Sequence, residues 1–229
     1  VLSNSQFKKL FDIFDKNDVE QIDITFDKND PSKNLKTEID KIRQDAEFAI
    51  RSGKKHLVVT DENISKDRLS IPIILAVGAL QSYLVKKGLR KFISLNVRSS
   101  ECLDTHYHAV LIGAGATTVN PYLAVDSIFQ RFEKGLFGKL SFDECVSRYI
   151  KSINDGLLKI MSKMGISVIS SYRGGLNFQS LGLSRGLVAD YFPGLESKIS
   201  GIGLSGIEDM IRKQHESTFA ENIITLPIG

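Results

Sequence analysis

The sequence predicts an α/β fold, namely an incomplete (β/α) barrel-like domain with mostly parallel strands. Short runs of β-branched residues alternate with longer segments whose apolar residues recur every three or four positions, which is the pattern of βαβ units. Only five or six such units fit in the 229 residues, whereas a complete barrel needs eight units and about 250 residues. An open doubly wound sheet is the alternative, and we favour the incomplete barrel.

The strands are predicted from short β-branched or aromatic runs bounded by turn residues. Residues 21–26 read QIDITF, residues 56–60 read HLVVT, and residues 92–97 read FISLNV. A very short strand and two further strands follow. Their predicted positions are residues 117–119, 166–169 and 198–202.

The helices are predicted from apolar periodicity and from their end signals. The long helix starting after Ser141 is the best marked, because Ser141 and Glu144 have the spacing of a capping box and Gly165 ends the helix. Pro72 lies in the first turn of another predicted helix, where its missing N–H costs nothing. The other predicted helices cover residues 35–50, 71–89, 102–112 and 205–219, and one starts at Pro121.

Composition and charge exclude several classes of protein. The 30 Lys and Arg residues nearly balance the 27 Asp and Glu residues, for a net charge of +3, and they are scattered along the chain. A nucleic-acid-binding protein would show clustered basic residues with a recognisable motif. A membrane span needs about 18 consecutive apolar residues, and no such stretch is present. With only two cysteines and no signal-peptide pattern, we expect a cytoplasmic protein with reduced thiols.

The start of the chain is unusual, since it begins Val1-Leu2-Ser3 without an initiator Met. No repeat, low-complexity tract or linker divides the sequence. We therefore expect residues 1–229 to form a single domain excised from a larger polypeptide.

Two short patterns resemble functional motifs. Residues 201–206 read GIGLSG and match G-x-G-x-x-G, but a dinucleotide site also needs a strand after the helix and an acidic residue about 20 positions on. We interpret these glycines as a turn before the last helix. Cys102, His106 and His108 could ligate a metal, but on a helix His108 would point away from the other two, so no metal site is expected.

Polar residues follow several predicted strands, where parallel α/β folds place their functional groups. One interpretation is an anion site, with the loop at residues 171–175 before a helix as its cradle. The other, which we favour, is a polar face that packs on another domain or lines a water-filled path. The predicted face comprises Asp61, Asn63, Arg98, Asn120, Tyr172 and Arg173.

Several segments, taken together and in order, resemble the central domain of the large chain of glutamate synthase. The most specific are IPIILAVGA at residues 71–79 and GLLKIMSKMGIS at residues 156–167, followed by SYRG at residues 171–174. Further similar segments span nearly the whole chain. They are residues 2–7, 113–116, 119–124 and 199–204.

The resemblance implies a place in a larger enzyme that makes two glutamates from glutamine and 2-oxoglutarate. An amidotransferase domain releases ammonia, and a later FMN barrel with an iron–sulfur cluster reduces the iminoglutarate. The central domain lies between them as a degenerate relative of the FMN-binding barrels without a flavin. It links its two partner domains and helps to shape the ammonia channel.

No catalytic, cofactor-binding or metal-binding residue carries over from the resemblance, so the fragment alone is expected to be inactive. Two departures from the family affect loops: residues 80–83 read LQSY where a histidine run is common, and residues 99–102 lack the usual Gly and Arg. The alternative function is a free-standing small barrel that binds FMN or a phosphorylated ligand through residues 172–175.

Overall fold

A computed structural model describes residues 1–220, which form α/β structure. The strands are β1 (Val19–Asp23), β2 (Thr25–Asp27), β3 (His56–Thr60), β4 (Arg68–Ser70), β5 (Ser94–Arg98), β6 (Thr118–Asn120), β7 (Gln179–Leu183) and β8 (Glu196–Ile202). The helices are α1 (Asn4–Ile13), α2 (Leu35–Arg51), α3 (Ile73–Lys86), α4 (Thr105–Gly113), α5 (Tyr122–Glu133), α6 (Phe142–Lys163), α7 (Ile169–Tyr172), α8 (Arg185–Tyr191) and α9 (Leu204–Thr218).

The main sheet has four strands in the order β1-β3-β5-β6, and every neighbouring pair is parallel. Helices α2, α3 and α4 form the successive crossovers between these strands. Because the order in space follows the order in the chain, the sheet has no point at which the strand order reverses, in contrast to a doubly wound sheet. The prediction of an α/β fold with mostly parallel strands is confirmed, whereas its relation to a barrel stays a prediction.

The hydrophobic core is formed by the main sheet together with its crossover helices α2, α3 and α4. Leu57, Val59, Leu95 and Val97, which pair in register in β3 and β5, are fully buried. Most residues of these two strands are buried, which explains why their apolar runs were visible in the sequence. Helix α3 is also buried over most of its surface.

The first predicted strand, residues 21–26, is divided in the structure. Asp23 Oδ1 accepts hydrogen bonds from the backbone N–H of Thr25 at 2.8 Å and from its hydroxyl at 2.7 Å. This Asx turn redirects the chain out of the main sheet. The second half, β2, pairs with β4 in an antiparallel ribbon that the sequence analysis missed.

The strand predicted at residues 166–169 is wrong. Gly165 adopts φ +70° and ends α6, and the chain then enters the short helix α7 instead of adding a strand beside β6. Val168 and Ile169 stay 52% and 45% exposed. Their apolar β-branched character therefore does not reflect burial in a sheet.

The C-terminal part forms a second parallel pair, β7 and β8, joined by α8. Strand β8 was predicted at 198–202 and begins two residues earlier, whereas β7 was missed. Gly201 lies against β7, and a Cβ added there would overlap the carbonyl oxygen of Gly182. Gly203 is the N-cap of α9, as expected for a glycine turn before the last helix.

Helix α4 starts later than predicted, whereas α6 starts where predicted but forms only the Ser141 half of its capping box. Helix α4 begins only at Thr105, because Asp104 caps it by accepting from the N–H of Tyr107 at 2.7 Å. Cys102 therefore lies outside the helix, so the shared helical face assumed for it does not exist. At the start of α6, Ser141 accepts from the N–H of Glu144 at 3.3 Å, and the Glu144 carboxylate pairs with Arg148 at 2.7 Å.

A search of residues 1–220 for a helix that is both long enough and apolar enough to cross a bilayer finds none.

Candidate functional site

Four of the six predicted polar residues meet at the carboxyl edge of the main sheet. Asp61 follows β3 directly and Asn63 comes two residues later, while Arg98 and Asn120 are the last residues of β5 and β6. Because the three strands are adjacent and parallel, their ends bring these side chains to one edge of the sheet.

The Asp61 carboxylate is fully buried and holds the loop after β5. It accepts hydrogen bonds from the Ser99 hydroxyl at 2.6 Å, the Ser100 hydroxyl at 2.9 Å and the Ser100 N–H at 3.0 Å. Hydrogen bonds to a buried charge are stronger than those between neutral groups. Asp61 therefore fixes a loop, and its oxygens already have partners.

Arg98 is engaged by neighbours on both sides. Its Nε lies 2.8 Å from a Glu62 carboxylate oxygen, and its Nη1 donates to the Asn120 amide oxygen at 2.5 Å. The guanidinium also lies over the Tyr122 ring, 5.2 Å from the centroid. Asn120 in turn donates to the carbonyl of Leu2 at 3.0 Å, which ties the start of the chain to this edge.

Asn63 donates to the Asp23 carboxylate at 2.9 Å, and Arg68 donates to the same oxygen at 3.0 Å. Burial acts to raise the pKa of Asp23, but hydrogen bonds from Asn63 and Thr25 and the charge of Arg68 hold it below its usual value. The polar groups at this edge thus satisfy one another.

A cavity of about 680 Å³ adjoins these groups, and we call it the carboxyl-edge cavity. It lies between the sheet edge, the β4 region and α9. Most of its lining is apolar or aromatic. The lining residues are Ile64, Leu69, Ser70, Pro72, Ser100, Glu101, Leu103, Tyr107, Tyr122, Leu123, Ile211, Gln214, His215, Thr218 and Phe219.

Two ionisable groups stand out in the carboxyl-edge cavity. Glu101 accepts from the N–H of Ile73 at 3.1 Å and from the Tyr107 hydroxyl, and burial raises the pKa of its carboxyl group. His215 is buried, its Nε2 lies 2.7 Å from the Ser65 carbonyl, and its Nδ1 has no hydrogen-bond partner among residues 1–220. Burial in the cavity thus disfavours the charged form of Glu101, whereas the hydrogen bonds that it accepts favour that form.

Both thiols are buried, which does not favour a nucleophilic role. Cys102 and Cys145 are both free and buried, and burial, with the nearby charges of Glu101 and Asp61, raises the pKa of Cys102. A reactive cysteine needs the opposite shift. Within residues 1–220 no three His, Cys, Asp or Glu side chains come close enough together to hold a metal ion.

The structure does not bring Tyr172 and Arg173 to the carboxyl edge. Tyr172 is buried, and Arg173 lines a different cavity together with His56 and Ser94, the first residues of β3 and β5. That position is the amino edge of the sheet. The prediction assumed a strand at 166–169, but this segment leads into α7, and the following loop packs on α4, where the N–H of Gly174 donates to the Ile112 carbonyl at 3.1 Å.

Sequence reasoning missed Glu101, Tyr107 and His215. Glu101 lies three residues beyond the end of β5, so the strand-end rule that selected Arg98 could have included it. No signal in the sequence could have placed His215 there, because α9 reaches the cavity from a distant part of the chain.

Among solved structures, a double mutant of flavocytochrome b2 with pyruvate bound gives a partial match. It is 17% identical, with a TM-score of 0.44, and the match covers 71% of this chain and 44% of that one. The sulfite-bound form of a flavocytochrome b2 gives 14% identity and a TM-score of 0.46 over 83% of this chain and 44% of that chain.

Sequence relatives are far more similar. The large chain of an NADPH glutamate synthase from Azospirillum brasilense is 50% identical over all 229 residues, and that of Bacillus subtilis is 38% identical over 97% of the chain. A ferredoxin-dependent glutamate synthase from Pyropia yezoensis is 37% identical over 88%. The chain spans only 15%, 14% and 14% of these relatives, respectively.

The sequence profile of the glutamate synthase central domain matches residues 1–184. The match covers α1, all four strands of the main sheet and their crossovers, and β7. The chain therefore belongs to the glutamate synthase central domain family.

Proposed function

We propose that this chain works as the non-catalytic central domain of a glutamate synthase, which converts glutamine and 2-oxoglutarate into two glutamates. The observation that carries the proposal is the match to a glutamate synthase large chain over all 229 residues, although those residues are only 15% of the relative's length. The proposed partners are the amidotransferase and FMN domains of the same polypeptide.

The state of the polar residues supports a non-catalytic role. A general acid or base must lie within hydrogen-bond reach of its substrate. The Asp61 carboxylate instead holds Ser99 and Ser100, and the Arg98 guanidinium holds Glu62 and Asn120. These contacts give the carboxyl edge a fixed shape for packing against other domains.

We further propose that the flavin and the iron–sulfur cluster lie in other parts of the polypeptide. We propose that this domain is a degenerate relative of the FMN-binding barrels that has kept the sequential parallel strands but holds no cofactor. Relatives named for NADPH and for ferredoxin both contain the domain, which supports a role independent of the electron donor. A cytoplasmic location stays a prediction.

We place the contribution to the ammonia passage at the carboxyl-edge cavity. Ammonia crosses apolar surroundings as a neutral molecule, and an ionised carboxylate on the route would favour ammonium instead. Burial raises the pKa of Glu101, which favours its neutral form. The mostly apolar lining suits a path for uncharged ammonia.

Narrowing the cavity tests this placement. Leu103 lines it and is 57% exposed, so Leu103→Trp adds bulk at the rim without disturbing the core. In the complete polypeptide we expect glutamine hydrolysis to outpace glutamate formation in this variant, because ammonia escapes before it is used.

The matched control is Leu158→Trp, a similarly exposed leucine on α6 that does not line the cavity. This control should keep the two rates coupled. Full coupling in both variants would contradict the placement of the passage.

A further inference from the structure

The amino edge of the main sheet carries a second cavity, of about 600 Å³, which we call the amino-edge cavity. Basic and hydroxyl side chains line it, and no Asp or Glu is among its lining residues. Those used in the argument below are Arg90, Lys91, Ser94, Ser170 and Arg173.

Arg90 is partly buried here and bonds only to neutral oxygens. It donates from Nη1 to the Ile93 carbonyl at 2.6 Å, from Nη2 to the Gly115 carbonyl at 2.9 Å, and from Nε to the Gln81 amide oxygen. Within residues 1–220 no carboxylate pairs with it. A buried cation usually has a counter-ion, because burial without one is costly.

Two further cations share the cavity without an acidic partner in the described part of the chain. The Arg173 guanidinium is exposed and makes neither an ion pair nor a hydrogen bond there, and the Lys91 ammonium lies over the Phe92 ring at 5.0 Å. Lys55 differs, because Asp18 neutralises it at 2.8 Å. Three positive charges thus remain uncompensated on one surface.

The pKa of Arg90 reflects both its burial and a neighbouring charge. Burial, with the charge of Arg173 added to it, lowers the pKa of Arg90 to about 10. Positive charges held close together repel each other. An anion bound between them would offset this repulsion and the free-energy cost of burying Arg90.

Gln81 holds the Arg90 guanidinium beside the backbone of the loop that carries Arg173. A Cβ on Gly115 would lie 2.5 Å from the Gln81 amide oxygen, and one on Gly174 would lie 3.2 Å from its amide nitrogen, so Gln81 is wedged between Arg90 and the Arg173 loop. That loop continues into Leu176, which adopts φ +49°, a conformation rare for leucine. Such strain persists where the surroundings fix the backbone.

We propose that the amino-edge cavity is a binding site for a small oxyanion of the phosphate or carboxylate class, held by Arg90 and Arg173. Planar guanidinium groups match the paired oxygens of such anions. Lys91 adds charge, and the Ser94 and Ser170 hydroxyls are available as donors. The anion is either a free solute or a carboxylate from elsewhere in the polypeptide, and the site does not depend on the proposed ammonia passage.

A titration of the 229-residue chain with inorganic phosphate, and separately with succinate, tests the site at constant ionic strength. Amide NMR shifts should saturate and concentrate at residues 90–94 and 170–175. Arg173→Gln should weaken binding about tenfold, since it removes a charge-assisted contact.

The matched control is Arg185→Gln, an exposed arginine on α8 outside the cavity, which should bind as the unaltered chain does. Repeating the titration on the complete polypeptide distinguishes the two sources. Added phosphate or succinate still binds there if the natural ligand is a free solute, but does not bind if an internal carboxylate already occupies the site. Shifts that do not saturate, or equal weakening in Arg173→Gln and Arg185→Gln, would overturn the proposal.

Discussion

The polar residues at the carboxyl edge mainly stabilise the folded structure. Asp61 bonds to two serines, Arg98 pairs with Glu62, and Glu101 accepts from a backbone N–H and from Tyr107. Of these, Glu101 is the group whose ionisation should be measurable, because it is partly buried and has no basic partner at hydrogen-bond distance among residues 1–220.

Glu101 predicts a pH dependence of stability. Burial raises its pKa above the value of about 4.3 that a free Glu side chain shows, so the folded chain binds this proton more tightly than the unfolded chain does. That contribution is complete below the unfolded pKa and is lost as the pH rises through the folded pKa. Glu101→Gln mimics the neutral form and should therefore gain stability relative to the unaltered chain as the pH rises.

Urea unfolding across this pH range measures the effect, with Glu216→Gln, an exposed position on α9, as the control. The Tyr107 hydroxyl can turn to accept from the new amide, so the substitution keeps a hydrogen bond. A constant difference between Glu101→Gln and the unaltered chain at every pH would show that Glu101 does not titrate as described.

The site residues were only partly predictable for a physical reason. Asp61, Asn63, Arg98 and Asn120 follow strands whose apolar runs were clear, so strand-end reasoning brought them together. Tyr172 and Arg173 depended on a strand that does not form. Tyr172 is buried and Arg173 lies at the amino edge, because the loop after α7 packs on α4, and no local sequence pattern records this packing.

At the scale of the elements, the β7–β8 pair depends on a very close approach between the backbones of its two strands. Gly201 faces the Gly182 carbonyl so closely that a methyl group there would overlap it, and the peptide of β7 cannot move aside cheaply. The glycine pattern at residues 201–206 thus serves strand pairing and the start of α9.

Gly201→Ala should lower the free energy of unfolding by about 1–3 kcal/mol, the usual cost of forcing extra volume into a packed position. Gly186→Ala is the control, because nothing lies within 4 Å of the added methyl and the residue is helical in α8. It should gain up to about 1 kcal/mol. Denaturant unfolding distinguishes them, and an equal effect of both changes would refute the close approach.

Helices and strands were predicted correctly where a helical or strand-like apolar pattern continued over the whole element. Helices α2 and α6 and strand β3 lie where periodicity and caps put them. Strand β7 was missed because QSLGL contains a glycine and has few buried positions. The first strand was divided by an aspartate side chain, a local hydrogen bond that strand propensity does not include.

At the scale of the whole molecule, one apolar surface has no cover within the described residues. Leu181 and Ile199, partners in the β7–β8 pair, are 67% and 60% exposed. Parallel sheets are normally covered on both faces. Such a surface suits a domain that packs against others in a longer chain, as the proposed function requires.

The central claim is that this domain holds no flavin of its own and serves the flavin-bearing part of a larger enzyme. The measurement that tests it most directly is a visible absorption titration of the purified 229-residue chain with FMN. We predict a chain that is colourless as purified and that leaves the absorption of added FMN unchanged. Flavin that copurifies, or that binds one per chain, would contradict the account and support a free-standing flavin barrel.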